Sequence, residues 1–174
     1  MLEYESWARD ALAFVEAHGH LAPYIAGALA FGESLAVISL IVPATIILLG
    51  MGALIEAGGI PLMPVWAGAT VGAALGDALS YWVGFHFKQH TRRLWPFSRH
   101  PAMLERGERF FQRFGSWSVF IGRFFGPIRA VIPLVAGMFA MPHFIFQMAN
   151  IASAMLWAFV LLAPGAAVMK FWGG

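Results

Sequence analysis

The sequence predicts an all-α integral membrane protein with two repeats, each a proline-broken, re-entrant helical hairpin followed by a spanning helix, together with amphipathic surface helices. Hydrophobic residues make up 60% of the 174 residues and charged residues only 11%, outside the range of ordinary soluble domains. Two apolar runs, Ile60 to Phe87 and Pro142 to Leu162, reach the length of about 20 residues that a spanning helix needs. Prolines interrupt the apolar segment before each run. Such interruptions at membrane depth are tolerated where protein or a watery cavity satisfies the freed backbone groups.

The N-terminal unit, residues 1–20, is predicted to be an amphipathic helix that lies in the membrane interface or packs on the bundle. Several acidic residues stand where a signal peptide would have a basic start and an apolar run. The remainder is predicted to be one membrane domain, residues 21–174, with repeat one at about 31–87, a basic segment at 88–113 and repeat two at about 114–172.

The first broken segment is the charge-free run from Ser34 to Ile55, with Pro43 in its middle. Proline lacks an amide donor and clashes with the preceding helical turn. The run is long enough to cross as one kinked helix, but we favour a hairpin that enters and leaves by the same side. The sequence leaves both readings open.

The span from Ile60 to Phe87 carries glycine at every fourth position, at Gly68, Gly72 and Gly76. Small residues at this spacing let a second helix approach closely, so we expect a packing face. Asp77 follows the last of these glycines. A lone aspartate within a span is costly and normally faces a partner or a cavity.

The only long polar interval, residues 88–113, holds seven Lys or Arg residues and two glutamates. The excess of positive charge predicts that it faces the cytoplasm. Within it, Ala102 to Arg113 predicts a helix on the surface whose arginines contact lipid headgroups. Nucleic-acid binding is disfavoured because membrane segments flank the interval on both sides.

Arg123 and Arg129 lie in apolar sequence on either side of Gly126-Pro127. An arginine at membrane depth costs about 2.5–3.5 kcal/mol on insertion scales. Two of them so close together therefore indicate that partners or a ligand offset this cost. In one continuous helix the two side chains would point about 240° apart, but the Gly-Pro pair argues against continuity. We therefore expect a broken segment that aims both guanidinium groups into one water-accessible cavity, where they suit a phosphate or a carboxylate.

The closing region, Ala130 to Met169, contains no Asp, Glu, Lys or Arg, and its prolines Pro133, Pro142 and Pro164 predict breaks. Asn150 lies inside the second span. An asparagine there more often bonds across helices than binds a ligand.

The two halves resemble one another. Phe31-Gly32 is matched by Phe114-Gly115, Pro43 by Pro127, and Gly50-Met51 by Gly137-Met138. Corresponding broken segments in two halves point to a transporter site where the repeats meet. The candidate cavity positions at these breaks and on the closing span are Pro43, Thr45, Gly126, Pro127 and Asn150.

Three motifs together resemble those of the DedA family, also called the VTT or SNARE-associated Golgi protein domain. They are Glu33-Ser34-Leu35 with Leu40 to Thr45, Gly72 to Asp77, and Gly122 to Arg129, with Asn150 and Trp157 matching the closing helix. The resemblance runs from about Phe31 to Gly165. It implies a protein of the bacterial cytoplasmic membrane that moves lipids between leaflets, either undecaprenyl phosphate or phospholipids such as phosphatidylethanolamine.

One departure from the family pattern concerns proton coupling. Many members of the family carry an acidic residue just after the proline that corresponds to Pro43, where this chain has Ala44 and Thr45. If the family couples transport to protons through that acid, this chain must use Glu33 or Asp77, or not couple in the same way.

The resulting hypothesis is that Arg123 and Arg129 bind the lipid phosphate, while Glu33 and Asp77 pair with them in the empty site and carry protons. The competing interpretation is that both pairs are permanent salt bridges. The rival functions are a transporter of small soluble anions, a membrane enzyme acting on lipid phosphates, and an assembly role. No nucleophile-elbow, phosphate-loop or zinc spacing occurs, so we expect no enzyme, cofactor or metal. The lipid, the direction of transport and the oligomeric state stay open.

Overall fold

In a computed structural model of the chain, the described residues are 18–35, 44–57, 59–87, 101–125 and 129–172. Most of them are helical and no strand occurs among them, so the predicted all-α class is confirmed. A 3-10 turn at Gly19–Leu21 precedes the helices, which are α1 (Ala22–Ser34), α2 (Ala44–Ala57), α3 (Leu62–Phe87), α4 (Pro101–Phe114), α5 (Trp117–Gly122), α6 (Ile132–Met138) and α7 (His143–Trp172).

Two helices in this described part are long and apolar enough to cross a membrane, namely α3 and the His143–Pro164 part of α7. Both display large apolar side chains on their outer faces, such as Leu75 at 57% exposure and Phe144 at 77%. Contiguous apolar surface of this kind is rare on soluble monomers and marks contact with a membrane or a partner. The two spans predicted from the sequence are therefore confirmed.

The expectation of a break at Pro164 is wrong, because α7 continues through that residue to Trp172. A proline removes one intrahelical hydrogen bond, and membrane helices tolerate this where neighbouring groups satisfy the freed carbonyl. The other two prolines act at helix starts. Pro133 lies in the first turn of α6, and Pro142 directly precedes α7.

The first broken segment, Ser34 to Ile55, is described on both sides of residues 36–43. Helix α1 ends at Ser34, Leu35 is extended, and α2 begins at Ala44. At 1.5 Å per residue α1 is about 20 Å long, shorter than the hydrocarbon core of about 30 Å. Pro43 lies outside the described residues, as does the predicted N-terminal amphipathic helix up to residue 17.

The second broken segment contains two still shorter helices. Helix α5 ends at Gly122, directly before Arg123, and α6 begins at Ile132, three residues after Arg129. The described residues between them form turns. Gly126, Pro127 and Ile128 lie outside the described part of the chain. Both arginines therefore stand where no helix continues.

The glycine stripe of α3 is the surface on which α1 packs. A methyl group at Gly68 would overlap the carbonyl of Pro23, and one at Gly72 would overlap the carbonyl of Gly27. At Gly76 it would lie 2.7 Å from the carbonyl of Phe31. Only glycine allows the two backbones to approach this closely. The predicted packing role is confirmed.

Each half of the chain contributes one short helix to each span. Helix α1 packs on α3 and α5 on α7, whereas α2 packs on α7 and α6 on α3. Glycines mediate the crossed contacts, since Gly52 meets the backbone of Leu162 and Gly137 meets that of Tyr81. Each span thus contacts short helices from both halves of the chain, and the two halves meet in the middle of the bundle.

Helix α4 lies on the surface of the bundle, as predicted from Ala102 to Arg113. Its inner face packs on α6, where Gly107 meets Val131, while Phe111 stacks on Phe139. Its outer face carries an exposed ion pair between Glu105 and Arg109 at 3.7 Å. The amphipathic pattern therefore separates a face that packs from a charged face.

Candidate functional site

Arg123 lies in the turn directly after α5 and points into the bundle, where only 2% of its side chain is exposed. Its Nη2 donates to the carboxylate of Asp77 on α3 and, at 2.7 Å, to Oδ1 of Asn150 on α7. Its Nε donates to Oγ of Ser153 at 3.0 Å. One guanidinium group therefore joins α5 to both spanning helices.

The acceptors of Arg123 are themselves held in place. Asn150 and Ser153 are three positions apart on α7, so they share a face. The amide of Asn150 donates to the carbonyl of Ala74 at 2.9 Å, which leaves its Oδ1 facing Arg123. The hydroxyl of Ser153 donates to the carbonyl of Asn150 at 3.0 Å. This wall of α7 is preorganised to receive a cation.

Arg129 occupies the turn before α6, and its Nη1 donates to the carboxylate of Glu33 at 2.8 Å. The two side chains are 9% and 8% exposed. The guanidinium carbon also lies 4.4 Å from the ring centroid of Trp157 on α7. This is well within the distance of about 6 Å at which a cation is attracted to an aromatic face.

The four charged residues Glu33, Asp77, Arg123 and Arg129 form one unit, which we call the charge cluster. Asp77 interacts electrostatically with both arginines, and Arg129 interacts with both acids and with Arg123. Both acids come from the first half of the chain and both arginines from the second. The formal charges of the cluster cancel, which is what makes its burial tolerable.

Each arginine in the cluster keeps one unused donor. Nη1 of Arg123 and Nη2 of Arg129 are buried and have no hydrogen-bond partner among the described residues. Leaving a buried donor unsatisfied costs about 1–3 kcal/mol, and more for a charged group. The site therefore has donor capacity for a further acceptor.

The remaining predicted positions divide into two groups. Asn150 is buried and bonds both to Arg123 and across to α3, which is the cross-helix role expected from the sequence. Thr45 belongs to the first turn of α2, but its side chain is outside the described part of the chain, as are Pro43, Gly126 and Pro127. Ser153 was missed. A hydroxyl three positions after Asn150 on an otherwise apolar span is the signal that would have found it.

No group of three or more histidine, aspartate or glutamate side chains among the described residues is arranged to hold a metal ion.

An apolar groove of about 710 Å³ runs along the outer side of the contact between α1 and α3. It begins near His20 and extends to Leu75 on α3. Gly68, Gly72, Tyr24 and Val71 are among the residues that line it. The groove lies beside α3, one of the helices that are long and apolar enough to cross a membrane.

The chain is similar to known membrane proteins over most of its length. A family model described as the VTT domain matches residues 42–167. The inner membrane protein YabI of Escherichia coli is 36% identical over 137 residues, which cover 78% of this chain and 54% of that protein. An uncharacterized membrane protein of Buchnera aphidicola is 32% identical over 141 residues, covering 81% of this chain and 55% of that protein.

A third relative, an uncharacterized membrane protein of Synechocystis, is 34% identical over 140 residues, with 79% of this chain and 64% of that protein covered. The chain thus spans little more than half the length of the first two relatives. No solved structure matches the chain. Because the family model covers most of the chain, including all of α3 and the arginine turns, this protein belongs to the VTT domain family of membrane proteins, also called DedA.

Proposed function

We propose that this protein is a transporter that moves a phosphate-headgroup lipid between the two leaflets of the bacterial cytoplasmic membrane, with undecaprenyl phosphate as its substrate. One observation carries the proposal. Two buried arginines meet in one charge cluster where the halves of the chain join, and each has a donor nitrogen with no described partner. Planar guanidinium forks match phosphate oxygens in geometry and charge.

The location of the charge cluster favours a ligand that arrives from the membrane. The charged side chains are at most 9% exposed, and the spanning helices that hold the cluster present apolar faces. A phosphate monoester would bring several acceptor oxygens to Nη1 of Arg123 and Nη2 of Arg129. These new hydrogen bonds would offset the partial loss of the carboxylate contacts.

The tail of the lipid would stay in hydrocarbon beside the glycine-bearing helix α3. The apolar groove between α1 and α3 offers a surface for it. Its α3 side runs from Pro64 to Leu75, which at 1.5 Å per residue is about 17 Å. This length is close to half of a hydrocarbon core of about 30 Å, the depth of one leaflet.

The two acids of the charge cluster would couple transport to protons. When phosphate displaces a carboxylate from its arginine, the freed carboxylate is left without its counter-charge in a buried site. Binding a proton removes that cost. Since Thr45 stands where many relatives have an acid, Glu33 and Asp77 are the residues we assign to this role.

Phosphatidylethanolamine is a second candidate substrate, favoured by the presence of both signs of charge in the cluster. A carboxylate that phosphate displaces from Arg129 or Arg123 would be able to accept the ammonium group of this lipid. Undecaprenyl phosphate has no such group, so it would instead require a proton at the freed acid.

The experiment that tests the proposal is leaflet-resolved lipid transfer in liposomes that contain the purified protein. We expect undecaprenyl phosphate to change leaflets faster than in protein-free liposomes, and inorganic phosphate in excess to leave the rate unchanged. Transfer of phosphatidylethanolamine alone would favour the second candidate. Transport of inorganic phosphate with no lipid transfer would contradict both and identify a small-anion transporter. Release of inorganic phosphate from the lipid would identify an enzyme.

A further inference from the structure

The two arginines of the charge cluster are held in different ways. Arg123 donates to Asp77, to Oδ1 and the backbone carbonyl of Asn150, and to Ser153. Arg129 has one hydrogen-bond partner among the described residues, the carboxylate of Glu33. Its second contact is the aromatic face of Trp157.

The neutral partners of Arg123 do not depend on its carboxylate. Asn150 is fixed by the carbonyl of Ala74, and Ser153 is fixed by the carbonyl of Asn150. If Asp77 were displaced, Arg123 would still be held by these oxygens from α7. Displacing Asp77 would therefore change the charge balance at Arg123 without moving its guanidinium group.

Arg129 is held by two contacts of different kinds. The contact with Glu33 uses an N–H donor in the plane of the guanidinium group, whereas the contact with Trp157 uses its face. Stacking on an aromatic ring leaves the in-plane donors available for an acceptor. Trp157 is 4% exposed and packs among the small and branched residues of the core, so its ring is itself fixed.

Building on the lipid-phosphate transport proposed above, we infer that Arg129 is the arginine that exchanges its carboxylate for the phosphate, and that Trp157 is the positioning residue that holds its guanidinium group during the exchange. Arg123 keeps its position throughout, because Asn150 and Ser153 hold it as well as Asp77. Glu33 competes with the phosphate for the donors of Arg129. Nη2 of Arg129, which has no hydrogen-bond partner among the described residues, makes the first contact with the ligand.

The first test measures binding of hexadecyl phosphate to the purified full chain in detergent. Glu33→Gln removes the carboxylate that competes with the phosphate. We therefore expect the affinity for hexadecyl phosphate to rise about tenfold, because like charges at one site oppose binding. Asp77→Asn leaves Arg129 with its own competitor in place, so we expect no such rise. Equal tightening by both substitutions would overturn the inference.

The second test addresses Trp157 and does not depend on the folding of the Glu33 variant. Trp157→Phe keeps a weaker aromatic face and Trp157→Leu removes it, so affinity should fall a few-fold and about tenfold respectively. The matched control is Trp117→Phe, because Trp117 is 68% exposed and lies on α5. We expect the control to bind like the unaltered protein.

A spectroscopic readout separates positioning from a merely structural role. On titration with hexadecyl phosphate, tryptophan emission should change in the unaltered protein and in Trp117→Phe, and the change should be lost in Trp157→Phe. Unaltered affinity in Trp157→Leu, or an emission change that survives in Trp157→Phe, would overturn the inference even if lipid transfer in liposomes is intact. Absence of hexadecyl phosphate binding by the unaltered protein would overturn the inference and the proposed function together.

Discussion

The guanidinium group of Arg123 contacts the carboxylate of Asp77 across 46 positions of sequence, with side chains only 2% and 9% exposed. The second pair, Arg129 with Glu33, spans 96 positions at 2.8 Å. Both pairs connect the first half of the chain to the second. A movement that separated the two halves at these residues would therefore break both ion pairs.

Neutralising one acid should show how strongly the buried pair stabilises the fold. In Asp77→Asn the charge of Arg123 loses its counter-charge, and we expect a loss of about 3–5 kcal/mol. The measurement is thermal unfolding of the detergent-purified protein. Glu105→Gln breaks the exposed pair with Arg109 and should cost less than about 1 kcal/mol. Equal unfolding temperatures for the two variants would show that the buried pair does not stabilise the fold.

The glycine stripe should tolerate no added methyl group. Gly72→Ala places a carbon against the backbone of Gly27, so α1 and α3 must separate, and we expect a loss of about 1–3 kcal/mol. Gly50→Ala is the matched control because nothing lies within 4 Å of the added carbon. Thermal unfolding of the two alanine variants gives the comparison. A Gly72 variant as stable as the Gly50 variant would contradict the close packing.

The hydroxyl of Ser153 should matter through Arg123. Ser153→Ala removes the acceptor of Nε, and hydrogen bonds to charged groups contribute about 1.5–3 kcal/mol. We expect lower thermal stability and slower lipid transfer. Ser116→Ala is the control, since Ser116 is exposed and its side chain does not cap α5. Identical behaviour of the two alanine variants would exclude Ser153 from the site.

Cysteine labelling should place helix α4 on one side of the membrane. The sequence contains no cysteine, so single-cysteine variants react at one position. Arg113→Cys should react with a membrane-impermeant maleimide only from the cytoplasmic side. Val71→Cys, on the apolar outer face of α3, should react from neither side. Reaction of the Arg113 variant from outside the cell would reverse the proposed orientation.

Much of this architecture follows from local sequence signals. The lengths of the two apolar runs predict the spans, and glycine at every fourth position of α3 predicts the face that α1 covers. The sequence also indicates that Arg123 and Arg129 need partners, because isolated charges at this depth are costly. It does not indicate which acid pairs with which arginine, since that depends on how α1, α3 and the arginine turns pack together.

Two features escaped prediction for identifiable physical reasons. A serine in an apolar span often has no functional role, so the sequence does not single out Ser153. Its bond to Arg123 forms only because the turn after α5 brings that arginine to α7. Pro164 breaks helices in water, but in the membrane the cost of leaving the helix exceeds the cost of one missing hydrogen bond. Both depend on surroundings that a local reading of sequence does not contain.

The decisive measurement is the rate at which undecaprenyl phosphate changes leaflets in liposomes containing Arg129→Lys. Lysine keeps the positive charge but loses the planar fork, so we expect the rate to fall to nearly that of protein-free liposomes. Arg109→Lys, on the exposed face of α4, should transfer the lipid like the unaltered protein. If Arg129→Lys transferred the lipid at the rate of the unaltered protein, no phosphate would be held between Arg123 and Arg129.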